Sequence, residues 1–511
     1  MTQESNKRIA KNTIFLYSRM AIILVVSLYT TRRLLQVIGV EDYGIYNVVC
    51  GFVFLFAFLN NSFSAAIQRF YNHEYAKDND SGIQRVYVSS ILIQILLAVV
   101  ICSIVESFGY WYLNSHIVIP PERLSDAINV FHLSVISMSL TILQVPYLAL
   151  IISRERMDYY AYVGIIDVLL KLVAVVLLPY IPHDKLVVYA FIWMVISVIN
   201  FLLYFIYVKF KFCHLVFKWK FYPDLIKSMF GFTLWNTIGA FSLMIRNQGL
   251  NLLLNNFFGV IVNASRGIAF QVQSALLGFV TNFSTAARPQ IVESYSSGDL
   301  SRSYSLFLGI SKLSFILLYI MALPIAVEMD YILHVWLGSI PDYATQFTVI
   351  VLCTALIDVL NNPLTAITNA VGVVKRYNII TSTIGVLVLP VSYFVLKIGA
   401  PPVSVFITSF ICSILVQYYG LRNLTKISDF SLLSYRKVVV TPILKVLVLT
   451  LPVPLLIRLL LEPGFSRFVI LTTLTIPHIL LVSYLIVFTP TEKALIKSII
   501  KRKGFKQSKS N

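Results

Sequence analysis

Fourteen apolar stretches, each about 20 residues long, run along this chain of 511 residues, and about 20 apolar residues is the length a helix needs to cross the hydrocarbon core of a bilayer. The spans read at roughly 13–38, 43–67, 86–110, 128–151, 159–181, 186–208, 228–255, 260–286, 305–329, 345–370, 377–397, 402–420, 441–460 and 468–489. Two divisions are narrow. Spans 7 and 8 are parted only by Asn255, Asn256 and Gly259, and spans 11 and 12 by Gly399-Ala400-Pro401-Pro402. Hydrophobic residues make up 58% of the chain and mean hydropathy is +0.80, far above a soluble domain. The expected fold class is an all-α membrane protein with 14 transmembrane helices.

Charge orients the spans. With the N-terminus placed in the cytoplasm, 28 of the 41 Lys and Arg fall in the inside segments, from Lys7 through Arg154 and Arg422 to the tail Lys493–Lys509. Only four, Arg123, Lys185, Lys397 and Arg467, fall outside. This is the positive-inside pattern. It needs an even number of spans and puts both termini in the cytoplasm. The net charge of +18 is then mostly topology. Its scatter over eight segments argues against nucleic acid as a partner. The tail reads as a solvated terminus or as a segment resting on anionic lipid.

The first apolar run is too long for a cleaved signal peptide and ends in Thr30-Thr31-Arg32-Arg33 rather than a small-residue cleavage site, so it reads as a retained anchor. Five Cys and seven His show no CxxC, HxxxH or HExxH spacing. The cysteines read as small buried hydrophobes, and neither metal nor cofactor is expected. The longest gaps between spans are about 20 residues, too short to bury a core. With no GxxxxGK[ST] loop either, an attached ATPase is excluded. Energy for uphill transport must come from an ion gradient, a substrate gradient or a partner chain.

Over one region, the halves align without a gap at an offset of 220 residues. Gly39-Val40 matches Gly259-Val260, Phe63-Ser64 matches Phe283-Ser284, Ala66 matches Ala286 and Tyr75 matches Tyr295. An offset of six helices is a parallel repeat about an axis along the membrane normal, with a cavity between lobes where alternating access occurs. The expected domains are a first lobe at 1–220, a second at 221–425, two added spans at 426–492 and a basic cytoplasmic tail at 493–511.

Ionisable groups at membrane depth are functional candidates. Arg32 and Arg33 lie near the outer end of span 1, Arg19 near its inner end, Arg246 in mid-span 7 and Arg266 early in span 8. For each the competing role is snorkelling to the interface. Asn247, Asn251 and Asn255 follow Arg246 at i, i+4, i+8, one face of a helix. Cation-bearing helices facing a cavity suit an anionic substrate, above all a phosphate or diphosphate. Asp167 and Lys171 are spaced to pair in span 5, as a structural pair or as an ion-coupling site. Asp358 in span 10 stands beside Asn361, Asn362 and Pro363. The proline frees helix carbonyls, so this segment is a candidate for Na⁺ or H⁺ coupling, with pairing to an Arg as the rival role. Glu106, Glu328 and Asp330 are expected to face water at outer span ends. Trp111, Trp219 and Trp336 read as interface belts.

Three segments resemble a known family: Gly39-Val-Glu-Asp-Tyr-Gly-Ile-Tyr46, Phe63-Ser-Ala-Ala-Ile-Gln-Arg-Phe70, and Arg266-Gly-Ile-Ala-Phe-Gln-Val272 leading to Ala287-Arg-Pro-Gln-Ile291 and Tyr295. They resemble the Wzx-type O-antigen and lipopolysaccharide flippases of the multidrug/oligosaccharidyl-lipid/polysaccharide (MOP) exporter superfamily, over essentially the whole chain. The resemblance implies two six-helix lobes in a V-shaped arrangement like that of multidrug and toxin extrusion (MATE) proteins, plus two C-terminal helices. It implies a flippase in the bacterial inner membrane. The substrate would be undecaprenyl-diphosphate-linked oligosaccharide moved from inner to outer leaflet by alternating access, with H⁺ or Na⁺ coupling in some members. Membrane lipids and polysaccharide polymerase or assembly proteins are the further expected partners. No residue roles carry over from the related lipid II flippases.

Two rivals stand beside this reading. A MATE-type multidrug cation antiporter needs an acidic cavity, whereas here span-embedded bases outnumber central acids. A membrane enzyme needs a catalytic constellation on an outer loop. The longest outside gap offers only His116, Glu122, Arg123 and Asp126, so no enzymatic activity is expected.

Overall fold

The computed structural model describes residues 3–53, 58–75, 80–154, 156–372, 374–488 and 493. The tail beyond 493 and the side chain of Arg19 lie outside the described residues. No strand occurs among the described residues. Hydrocarbon offers no partner to a backbone amide or carbonyl, and a helix satisfies both within itself.

Eleven helical segments among the described residues are long and apolar enough to cross a membrane, beginning with Ile22–Gly51 and ending with Phe465–Ile486. The count of fourteen is therefore not reached on that measure. The other three expected spans, 43–67, 228–255 and 260–286, are helical in their described residues. They fall on the end of Gln3–Val53 with Phe58–Tyr75, on Pro223–Phe258 and on Val260–Ser296.

Gly39 breaks the Gln3–Val53 stretch with φ 83 and ψ 172. Gly259 parts Pro223–Phe258 from Val260–Ser296 with φ 77 and ψ −171. Only glycine takes such a φ without strain. The two stand at the repeat offset of 220 residues, so both halves make this turn with one backbone conformation.

The chain forms two compact units. The first comprises Met1–Ile268, Pro341–Tyr343 and Gly385–Val405. One buried cluster in it joins Ile45, Val48, Val49 and Val53 to Phe131 and Met138, and another joins Ile67 and Tyr71 to Ile83, Leu150 and Met229. Gly44 admits the Val260 backbone so closely that a Cβ there would lie 2.1 Å from the Val260 carbonyl oxygen. This is the small-residue contact by which membrane helices approach.

Arg123 staples three chain segments of this unit. It donates to both carboxylate oxygens of Asp42, at 2.9 and 2.6 Å, and to Asp126 and Asp184 at 2.6 Å each. Such bidentate, charge-assisted contacts are stronger than neutral ones. Asp184 also caps the Lys185–Lys211 helix, accepting from the amides of Leu186 and Val187 at 3.0 and 3.1 Å. Burial pushes its carboxyl up, but the Arg123 guanidinium and these amides outweigh that and hold it below its ordinary value.

The second unit comprises Ala269–Ile340, Ala344–Ile384 and Phe406–Asn511. Its Leu300–Val327 helix packs against Phe465–Ile486, Asn361–Val371 and Ala344–Asp358. Three polar ties bind that helix and the residue after it to the C-terminal pair. Tyr319 Oη lies 2.9 Å from Thr450 Oγ1, Lys312 Nζ donates to the Val487 carbonyl at 3.1 Å, and Arg467 donates to Glu328 Oε2 at 2.7 Å. Outward apolar side chains of the pair, such as Val448 and Leu459, are exposed, as lipid-facing residues are.

Glu328 corrects the expectation that it faces water. It is 1% exposed and Arg467 is 7% exposed, and a second contact, Arg467 Nε to Glu328 Oε1, spans 2.7 Å. Asp330 does stay exposed, 3.2 Å from Arg458. Removing one member of a buried ion pair leaves the other charge unpaired, at about 3–5 kcal/mol. Glu328→Gln is therefore expected to lower the melting temperature of the purified protein markedly, and adding Arg467→Met to restore most of the loss. A Glu328→Gln protein as stable as the wild type would show that the pair does not hold the C-terminal helices.

Candidate functional site

Asn247, Asn251 and Asn255 lie on one face of the Pro223–Phe258 helix, with Arg246 beside them. The structure divides this stripe. Asn247 is exposed and Arg246 half-buried. Asn251 is 2% exposed and Asn255 fully buried. Asn251 Nδ2 donates to the Asn47 carbonyl at 3.2 Å. Asn263 Nδ2 donates to Asn251, to its carbonyl and to its Oδ1, at 2.7 Å each. Asn255 clasps the backbone of Val118, accepting from its amide at 2.8 Å and donating to its carbonyl at 3.2 Å. A Cβ on Gly51 would lie 2.7 Å from Asn251 Nδ2 and 2.9 Å from Gln248 Oε1, so glycine there is what lets Asn251 and Gln248 close in.

The amides of Asn251 and Asn255 thus bind protein. They join residues 247–263 to 47–51 and 118, all within the first unit. Buried amides satisfied this way specify one packing arrangement. Arg266 is brought to the same place. It is 9% exposed and donates to the Asn247 carbonyl at 2.5 Å. Arg32 is exposed and Arg33 half-buried on the first helix. Of the expected cations, Arg246, Arg32 and Arg33 keep accessible surface and Arg266 is enclosed.

Asp167 has both carboxylate oxygens engaged. Lys171 donates to one at 2.8 Å and Asn200 to the other at 2.7 Å. Lys171 also sits 4.1 Å over the Trp193 ring, a cation–π contact. Asp167, Lys171 and Asn200 form a half-buried, hydrogen-bonded triad.

Asp358 ends the Ala344–Asp358 helix, and a new helix starts at Asn361 and runs to Val371. The interruption falls at Val359 and Leu360, just ahead of Pro363, where a proline disfavours helix. Asn361 and Asn362 are half-buried at the break. Asn361 Oδ1 is buried and takes no hydrogen bond. Thr365 Oγ1 donates to the Asn361 carbonyl at 2.8 Å and lies 3.2 Å from Tyr377 Oη. A carboxylate, an open amide oxygen and a broken helix within a few residues are the ligand types that hold Na⁺ or carry H⁺.

Two cations were legible as positions but not as contacts. Lys312, 2% exposed, is a charge in mid-span whose acceptor, Val487, lies 175 residues away. Arg467 counts as an outer-loop base in the sequence, and nothing there marks Glu328 as its partner.

The family described as polysaccharide biosynthesis protein matches residues 9–295, more than half of the chain. No curated protein matches the sequence. Solved structures share the fold. The lipid II flippase MurJ in an inward closed conformation superposes with a TM-score of 0.65 at 15% identity, covering 93% of this chain and 98% of that one. An inward-facing multidrug resistance MATE family transporter of the MOP superfamily gives 0.62 at 13% identity, over 81% and 99%. A MOP superfamily transporter from Pyrococcus furiosus gives 0.56 at 14% identity, over 82% and 96%. At such identities the likeness speaks for the fold: an all-helical, multi-pass membrane protein of the MATE-like and MurJ-like kind. The chain belongs to the polysaccharide biosynthesis protein family.

Proposed function

We propose that the protein is a flippase that moves undecaprenyl-diphosphate-linked oligosaccharide from the inner to the outer leaflet of the bacterial inner membrane, for lipopolysaccharide or other surface polysaccharide. The observation that carries this reading is the joint one of family and fold. A polysaccharide biosynthesis protein has the architecture of a lipid II flippase over nearly its whole length. Arg246, half-buried in mid-helix beside exposed Asn247, suits the diphosphate. Arg guanidinium groups hold phosphate oxygens bidentately, and Arg32 and Arg33 add positive charge on the first helix.

In this reading lobes 1–220 and 221–425 move against each other by alternating access, with 426–492 carried on the second. The asparagine clasp then serves as a gate. It joins Asn47, Gly51 and Val118 of the first lobe to Asn251, Asn255 and Asn263 of the second. The turns at Gly39 and Gly259, which the positive-inside rule puts outside, bring this clasp to the outer side. Opening it exchanges protein contacts for water, as a two-state element requires. Asp358 with Asn362 supplies the ion-coupling site, and Asp167 is set aside by its triad. A polymerase or assembly protein receives the product.

A multidrug antiporter shares the fold, but cationic side chains at the candidate site repel cationic drugs. A drug-efflux assay on expressing cells separates the two readings.

Arg246→Ala is expected to reduce surface polysaccharide at least tenfold, with the protein still at normal level in the membrane. Normal surface polysaccharide in that variant removes Arg246 from the substrate site. Asp358→Asn is expected to make transport insensitive to an imposed H⁺ or Na⁺ gradient. A variant that responds to both gradients as the wild type does counts against coupling at Asp358.

A further inference from the structure

A cavity of about 620 Å³ opens between the Val374–Lys397 and Val403–Ile427 helices, at the ends that carry basic residues. The positive-inside rule assigns that end to the cytoplasmic leaflet. Arg376 lines it from one helix, Arg422 and Lys426 from the other. No acidic side chain is among its described lining residues. Placing like charges at i, i+4, as Arg422 and Lys426 are, is unfavourable on its own, and an anion between them removes the penalty.

A second, independent feature lies in the same wall. Asn423 is 2% exposed, and neither its Nδ2 nor its Oδ1 has a hydrogen-bond partner. A buried amide left unsatisfied on both atoms is costly, and buried polar groups in folded proteins are nearly always paired. Its Nδ2 is suited to donate to a phosphate oxygen, and its Oδ1 to accept from a headgroup hydroxyl. The cavity also has an apolar side. Ile379 and Ile380 belong to its lining, and Ile379 is 53% exposed. Cations, an open amide and an apolar flank in one cavity match an amphiphile with a phosphate head. A soluble anion has no use for the isoleucines.

We propose that this cavity binds the phosphate head of a membrane lipid, with Arg376, Arg422, Lys426 and Asn423 on the head and the chain along Ile379 and Ile380. The site uses none of the residues assigned to the transported substrate, so it does not depend on what is transported. Two lipid sources share this chemistry, an anionic phospholipid and a polyprenyl phosphate.

The test uses purified full-length protein in detergent, titrated with dioctanoyl phosphatidylglycerol, farnesyl diphosphate, dioctanoyl phosphatidylcholine and inorganic pyrophosphate. Binding is read by native mass spectrometry and by the shift in melting temperature. At least one of the first two is expected to bind, and the tighter of them names the lipid source. Phosphatidylcholine and pyrophosphate are expected to bind at least tenfold more weakly. Arg422→Gln with Lys426→Gln is expected to weaken the amphiphile about tenfold or more, since charge-assisted bonds are lost. Asn423→Asp, nearly isosteric, puts a negative charge against the head and is expected to weaken it as much. It also supplies the answer if the double variant does not fold. Pyrophosphate binding as tightly as the amphiphiles, or amphiphile affinity unchanged in the folded variants, overturns the proposal.

Discussion

A charged or polar side chain carried into hydrocarbon must find a partner there, because losing its water costs several kcal/mol. That constraint orders most of what is seen in this chain. It makes the membrane-crossing segments among the described residues helical. It closes Asp167 with Lys171 and Asn200, buries Glu328 against Arg467, and turns Lys312 onto the Val487 carbonyl. It folds Asn251 and Asn255 onto the backbone of Asn47 and Val118. Groups satisfied in this way hold helices together. Arg246, Asn247 and Arg32 keep accessible surface, and the proposed substrate site is drawn from them.

In the proposed transport cycle, some of the same interactions form the gate. The Asn47, Asn251 and Asn263 cluster and the close Gly44–Val260 approach lie beside the two glycine turns. Contacts of small residues and amides in a membrane are individually modest, on the order of 1 kcal/mol. A few of them can hold one state and still release it. The Glu328–Arg467 pair is different in kind. Charges that dry are costly to separate, so it suits a permanent attachment of the C-terminal helices, whereas the proposal gives the asparagine clasp the part of a gate.

Much of this was legible in the chain. Apolar length reports most of the spans because the bilayer sets the length a helix needs to cross it. The repeat at 220 residues is legible because a turn with φ near +80° and extended ψ favours glycine, and Gly39 and Gly259 both take it. Pro363 marked the break after Asp358 for a similar local reason. Pairings across long sequence distance were not legible. Asn255 and Val118 lie 137 residues apart, and Glu328 and Arg467 lie 139 apart. Periodicity shows that Asn247, Asn251 and Asn255 share a face. It does not show that two of the three turn toward protein.

The central claim is translocation of a lipid-linked glycan, and reconstitution tests it most directly. Purified full-length protein is placed in proteoliposomes with a fluorescent polyprenyl-diphosphate-linked sugar, and its transfer between leaflets is followed by a membrane-impermeant quencher. The account predicts transfer well above protein-free vesicles and no uptake of a cationic drug in the same vesicles. Drug uptake without glycan-lipid transfer would contradict it.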